Sequence, residues 1–271
     1  MEAGLLRDGL TLVVGLCSGI LSGAFGVGGA VLSTPGIRLL GIAPLMAVGT
    51  TLPAILPSAV SGGLRYRAEG LVDWRAVGAV APTGLLASIG GALASGLVPG
   101  EGHLLQLAIA GLLGWSAWRL GTGRQRPARG AQVDERRTRA AGPRRPRSPV
   151  RLAGVGVLAG GLSGLLGIGG GAVLVPGLAQ VGGLSLRTSV ATSLVCTGIF
   201  AVPGTITHSL VGNVDWRVAL LLAVTVVPGA RLGAAASLRL GERDLARAVA
   251  AFLGVIAVVY AAGELAALVR S

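Results

Sequence analysis

The chain has 271 residues, of which 52% are hydrophobic and only 13% charged, with a mean hydropathy of +0.76. Soluble domains carry about twice that charged share, so an ordinary water-soluble enzyme is excluded. A membrane-crossing helix takes about 20 apolar residues, which leaves room for about seven to nine membrane segments with short loops.

Taken in chain order, the apolar segments are 5–22, 28–41, 44–66, 74–98 and 103–120, then 152–165, 169–181, 188–210, 217–238 and 247–269. The chain divides accordingly into a first membrane unit, 1–121, a polar linker, 122–150, and a second membrane unit, 151–271. The net charge of +12 arises from 23 basic residues, all arginine, against 11 acids. Eleven of those arginines fall between Arg119 and Arg151, among Pro127, Pro143, Pro146 and Pro149. This stretch reads as a disordered cytoplasmic linker that fixes topology by the positive-inside rule and touches anionic lipid. Nucleic acid is excluded as a partner because no aromatic residue is interleaved there for stacking. Cys17 and Cys196 lie in apolar runs, and no CxxC or histidine cluster is present, so neither a structural metal nor a cofactor is expected. The first 25 residues resemble a signal peptide only loosely, because their apolar run continues into a glycine-rich motif. They read as retained structure.

The chain is written twice. The run from Gly15 to Gly36 reappears 141 residues later: Gly15, Gly19 and Gly23 match Gly156, Gly160 and Gly164, Ser22 matches Ser163, and Pro35 matches Pro176. At a displacement of 142, Gly49-Thr50-Thr51-Leu52 matches Ala191-Thr192-Ser193-Leu194, and Val72-Asp73-Trp74-Arg75 matches Val214-Asp215-Trp216-Arg217. Residues 5–41 are too long for one span and too short for two. Glycine turns at Gly26–Gly29 and Gly167–Gly171 therefore predict, in each half, two short helices meeting inside the membrane. A re-entrant hairpin and a single broken span both fit; the hairpin makes the two repeats inverted. Inversion places 18 arginines inside and four outside, against 17 and five for parallel halves, so charge alone decides little. Inversion is preferred because it gives alternating access a structural basis. The fold class is thus an all-α polytopic membrane protein of two homologous, inverted repeats, each opening with a glycine-broken helix pair.

The upstream glycines at four-residue spacing serve close helix packing. The turns differ, because unwound backbone in a membrane is tolerated only when buried in protein or lining a cavity. The helix that follows presents free N–H groups and a positive dipole end to an anion. Gly28, Gly29, Gly169 and Gly170 are therefore candidate substrate-binding positions. Thr50, Thr51, Thr192 and Ser193 stand at matched places and either cap or back-bond their helices or donate to the oxyanion. His208, opposite Tyr66 in the repeat, and Arg231, far from a membrane edge, are the candidate charged groups. Trp74 and Trp216 read as interfacial anchors, with Asp73 and Asp215 in the loops beside them. No carboxylate falls in mid-membrane, which argues against a divalent-cation path or an acid-based proton relay. Gly167-Ile168-Gly169-Gly170-Gly171-Ala172 fits a dinucleotide fingerprint literally, but without the strand and the downstream acid that give it meaning.

The paired glycine motifs, each followed by a proline, then Gly49-Thr50-Thr51 or Ala191-Thr192-Ser193, then Val-Asp-Trp, resemble the sulfite exporter (TauE/SafE) family, also called toluene-sulfonate uptake permeases. The resemblance covers residues 9–98 and 153–240, and departs from its own symmetry at Ala30 opposite Gly171 and at Tyr66 opposite His208. It implies a non-enzymatic secondary transporter of sulfur-containing anions in a bacterial or archaeal cytoplasmic membrane. Its partners are a small anionic substrate, a candidate coupling proton and the lipid bilayer; the sequence carries no signal for oligomeric state. The rival expectation is a non-transporting accessory subunit that docks through the arginine linker.

Overall fold

The computed structural model describes residues 2–94, 111, 114–118, 121–122, 148–166 and 170–270. The arginine linker and most of segment 103–120 lie outside the described residues. Helix is the regular structure throughout: α1 (Glu2–Phe25), α2 (Ala30–Leu39), α3 (Pro44–Ala68), α4 (Trp74–Ala94), α5 (Pro149–Leu166), α6 (Gly171–Gln180), α7 (Leu186–Leu210), α8 (Trp216–Arg239) and α9 (Glu242–Arg270). Among the described residues, five helices are long and apolar enough to cross a membrane: α1, α3, α4, α7 and α8. Prolines inside six of the helices, such as Pro53, Pro57 and Pro228, fit this setting, where neighbouring groups re-satisfy freed backbone.

The opening pair of each half departs from the expectation of two short helices. Only the second member is short: α2 and α6 have 10 residues each, about 15 Å or half a hydrocarbon core. The first members have 24 and 18 residues, because helix-forming residues such as Glu2, Ala3 and Ala24 extend the apolar core at its ends. Each pair is a hairpin. Gly29 packs on Ser18 and Gly36 on Val14, so α2 runs back along α1. Gly170 packs on Ala159 and Gly177 on Val155 in the same way.

Glycine stripes build the two tightest helix pairs. Gly15, Gly19 and Gly23 of α1 face Leu222, Val226 and Ala230 of α8, the helices running parallel. Gly156, Gly160 and Gly164 of α5 face Val80, Gly84 and Ser88 of α4, again in parallel. Each pair joins one helix from each half. At the centre, α3 and α7 run antiparallel, with Gly62 on Leu194, Ala59 on Gly198 and Leu52 on Gly204. Fully buried Leu52, Ile55 and Leu194 lie along this crossing, whereas the Phe200 ring reaches Gly84 of α4.

Two hydrogen bonds tie each half's Val-Asp-Trp loop to the other half. The Asp73 N–H donates to Thr192 Oγ1 at 3.0 Å, and the Asp215 N–H donates to Thr50 Oγ1 at 2.9 Å. Each aspartate then caps the next helix: Asp73 Oδ1 accepts from Arg75 and Ala76 N–H, and Asp215 Oδ1 from Val218 N–H. Asp73 is buried, with 1% of its surface exposed, so it is a sequestered tie rather than a solvated loop residue.

Two stability outcomes follow from this packing. A Cβ on Gly160 would lie 2.5 Å from the Gly84 Cα, whereas one on Gly161 would meet nothing within 4 Å. Gly160→Ala should cost about 1–3 kcal/mol, as overpacking does, and Gly161→Ala should be neutral, read as thermal unfolding in detergent. Thr192→Val removes the acceptor of a buried N–H and should destabilise by about 1–3 kcal/mol on the same assay.

Candidate functional site

The first turn is built from Gly26 and Gly28, at φ +68° and +69°, a left-handed backbone that glycine adopts without a Cβ penalty. Unwinding there frees carbonyls and N–H groups that meet opposite fates. Three of the carbonyls are covered by hydroxyls: Tyr66 Oη donates to Gly23 O at 2.7 Å, Ser193 Oγ to Gly26 O, and Ser18 Oγ to Gly29 O. Ser33 Oγ also donates to Gly29 O, at 3.1 Å. The N–H groups from Val27 to Ala30 donate no hydrogen bond among the described residues. Bare donors at the positive end of α2, with three of the neighbouring carbonyls covered, make a ledge that suits an anion.

The second turn comes up against the first. Gly169 lies outside the described residues, but Gly170 caps α6 at φ +64°. A Cβ on Gly171 would lie 2.5 Å from the Val27 carbonyl, so only glycine fits where the two turns touch. Its repeat counterpart, Ala30, is fully buried yet keeps its methyl group, which accounts for the break in the repeat at this position. The start of α6 thus abuts the turn that begins α2, and two half-helix N-termini converge in the protein interior.

The other candidates divide between locations. Gly28 and Gly29 form the first turn, and Ser193 sits against it through Gly26. Thr51 shares a 3.0 Å hydrogen bond with Thr34 and donates to Val48 O. Thr50 and Thr192 hold the aspartate loops. Because Leu52 stands beside Gly204, 12 residues beyond Thr192 on α7, the two hydroxyl pairs are separated by about 18 Å along the helix. They flank the crossing rather than ring one point. His208 is buried in the last turn of α7, its Cβ against Gly49, about 22 Å along the helix from Ser193. Arg231 is exposed, on a different face of α8 from Val226, Ala230 and Gly233, which meet α1. Trp74 and Trp216 are 56% and 52% exposed at helix starts, and the Arg67 guanidinium lies 6.0 Å over the Trp74 ring. Among the described residues no group of His, Cys, Asp or Glu is placed to hold a metal ion.

Ser18 and Tyr66 were not singled out by sequence as supports of the turn. A signal existed for Tyr66, since a tyrosine inside an apolar helix needs a partner for its hydroxyl.

Known proteins resemble the chain along nearly its full length. Residues 11–260 match the family described as "Sulfite exporter TauE/SafE". The "Probable membrane transporter protein YunE" of Bacillus subtilis (strain 168) is 25% identical over 262 residues, 87% of this chain and 90% of the relative. A "Probable membrane transporter protein" of Xylella fastidiosa (strain 9a5c) is 28% identical over 82% of this chain and 80% of its own length. Another, of Haemophilus influenzae (strain ATCC 51907 / DSM 11121 / KW20 / Rd), is 24% identical over 92% and 96% respectively. No solved structure matches. With glycine turns, helix pairs and loops all inside the matched range, the chain belongs to the sulfite exporter TauE/SafE family.

Proposed function

We propose that this multi-pass membrane transporter moves a small sulfur-containing oxyanion or organosulfonate across a bacterial or archaeal cytoplasmic membrane by secondary active transport. The observation that carries the reading is the contact of Gly171 with Val27, which brings the N-termini of α2 and α6 together in the interior. The start of α6 lies against the Gly26 and Val27 carbonyls beside the start of α2, and both helix ends favour a negative charge placed near them. The family description supports sulfite as the first anion to try. The antiparallel course of α3 and α7, whose sequences match at a displacement of 142, supports inverted repeats and alternating access about their crossing.

The binding groups in this reading are the turn backbone at Gly28 and Gly29, its counterpart at Gly169 and Gly170, and the hydroxyl of Thr51; Ser193 supports the turn through the Gly26 carbonyl. Thr50 and Thr192 hold the frame, and Arg231 contributes charge to the surface rather than to the site. His208 is the candidate carrier of a coupling proton, being a buried imidazole at the far end of α7.

Proteoliposomes containing the chain should show saturable counterflow of labelled sulfite or of a small sulfonate, and an imposed pH gradient should change net uptake. Folded, inserted protein that carries neither anion would overturn the substrate class. His208→Gln should retain counterflow but lose the response to the pH gradient; an unaltered response would remove His208 from the coupling step.

A further inference from the structure

We propose that the side-chain donors for the anion are two buried hydroxyl pairs of the first half, Ser22 with Ser58 and Thr34 with Thr51, and that the second half lacks their equivalent. This rests on the transporter reading above and names the donors and the asymmetry of the same site.

Ser58 Oγ donates to Ser22 Oγ at 2.9 Å, and the Thr34 and Thr51 hydroxyls lie 3.0 Å apart. All four residues are buried, between 0% and 7% exposed. Both pairs join α3 to the hairpin, one through α1 and the other through α2. Ser22 stands one helical turn before Gly26 and Thr34 one turn after Ala30, so each pair lies about 6 Å along its helix from the glycine turn, and their partners on α3 are about 10 Å apart. The hydroxyls of Ser18, Ser193 and Tyr66 are committed differently, since withdrawing any of them orphans a buried carbonyl. A hydroxyl paired with another hydroxyl is freer. Rotation about the C–O bond turns its proton from its neighbour to an oxyanion; the Thr51 proton, shared with Val48 O, turns away from a carbonyl inside α3 to do so.

The repeat supplies an internal comparison. At the displacements of 141 and 142, Ser22 and Ser58 correspond to Ser163 and Phe200, and Thr34 and Thr51 to Val175 and Ser193. One hydroxyl of each pair has been replaced by hydrocarbon, and Val175 and Phe200 are both fully buried. Of the hydroxyls that remain, Ser163 Oγ is buried without a hydrogen-bond partner among the described residues, and Ser193 has turned to the carbonyl of Gly26 in the first half. Hydroxyl bonds between membrane helices can also serve only as glue. Glue alone gives no reason for both pairs to lie beside the bare donors of one turn.

Counterflow of labelled sulfite in proteoliposomes tests the assignment. Ser22→Ala with Ser58→Ala, and Thr34→Val with Thr51→Val, should each raise KM by about tenfold or more, as expected for losing hydrogen bonds to a charged ligand. Melting temperatures in detergent should change little. Thr34→Ser with Thr51→Ser keeps both hydroxyls and should keep the low KM, and Ser163→Ala should leave KM within about twofold. Unchanged KM in both first-half doubles, with wild-type protein transporting, overturns the proposal and leaves the transporter reading standing. A loss of flux that only tracks a fall in melting temperature, or an equal rise in KM from Ser163→Ala, also overturns it. If the wild type carries neither sulfite nor a small sulfonate, the substrate class fails and the donor assignment fails with it.

Discussion

A backbone that leaves its helix inside a membrane must find its hydrogen-bond partners within the protein, because hydrocarbon offers none. The rest of this architecture depends on how that demand is met at Gly26–Gly29. The carbonyls of Gly23, Gly26 and Gly29 draw their donors from α3, α7 and α1, through Tyr66, Ser193 and Ser18. Three helices must be in register for the turn to exist. Each such bond adds only about 0.5–1.5 kcal/mol net, but an orphaned buried group costs about 1–3 kcal/mol. The turn is therefore a test of correct packing as well as a product of it.

The packing units are not the two halves of the sequence. The closest helix pairs, α1 with α8 and α4 with α5, each combine one helix from each half, and the bonds of Thr50 and Thr192 cross between halves too. A shift of one half against the other would break backbone-close glycine contacts along two whole helices. Movement is cheaper where contacts run through side chains, as at the crossing of α3 and α7, where Leu52, Ala59 and Leu194 meet glycines opposite. In the proposed transport cycle, that crossing is where the two sides would rock.

Much of this was legible in the residues. Apolar run lengths gave the described helices to within a few residues, the glycine turns marked where α1 and α5 end, and glycine at four-residue spacing gave the close pairs. What was not legible depends on partners far away in the chain. Thr192 meets Asp73 across 119 residues and Thr50 meets Asp215 across 165, and no local pattern distinguishes a threonine that holds a loop from one that contacts a ligand. The burial of Asp73 follows from the same long-range tie. Arg231 illustrates the opposite error of emphasis: its depth in the sequence of α8 suggested an interior charge, but helix phase turns it away from the α1 contact and onto the surface.

Arg231 is on the surface and His208 is about 22 Å along α7 from Ser193, so neither charged candidate offered by the sequence reaches the first turn. In the proposed anion site, neutral donors do what an arginine would otherwise do. This suits a transporter better than a receptor. A buried arginine carries its own desolvation cost and, once its anion leaves, remains an unpaired charge in the membrane. Backbone N–H groups and paired hydroxyls are neutral when the site is empty, and the hydroxyl pairs satisfy one another. Hydrogen bonds to a charged group contribute about 1.5–3 kcal/mol each, so a few such donors offset much of an oxyanion's lost hydration without trapping it.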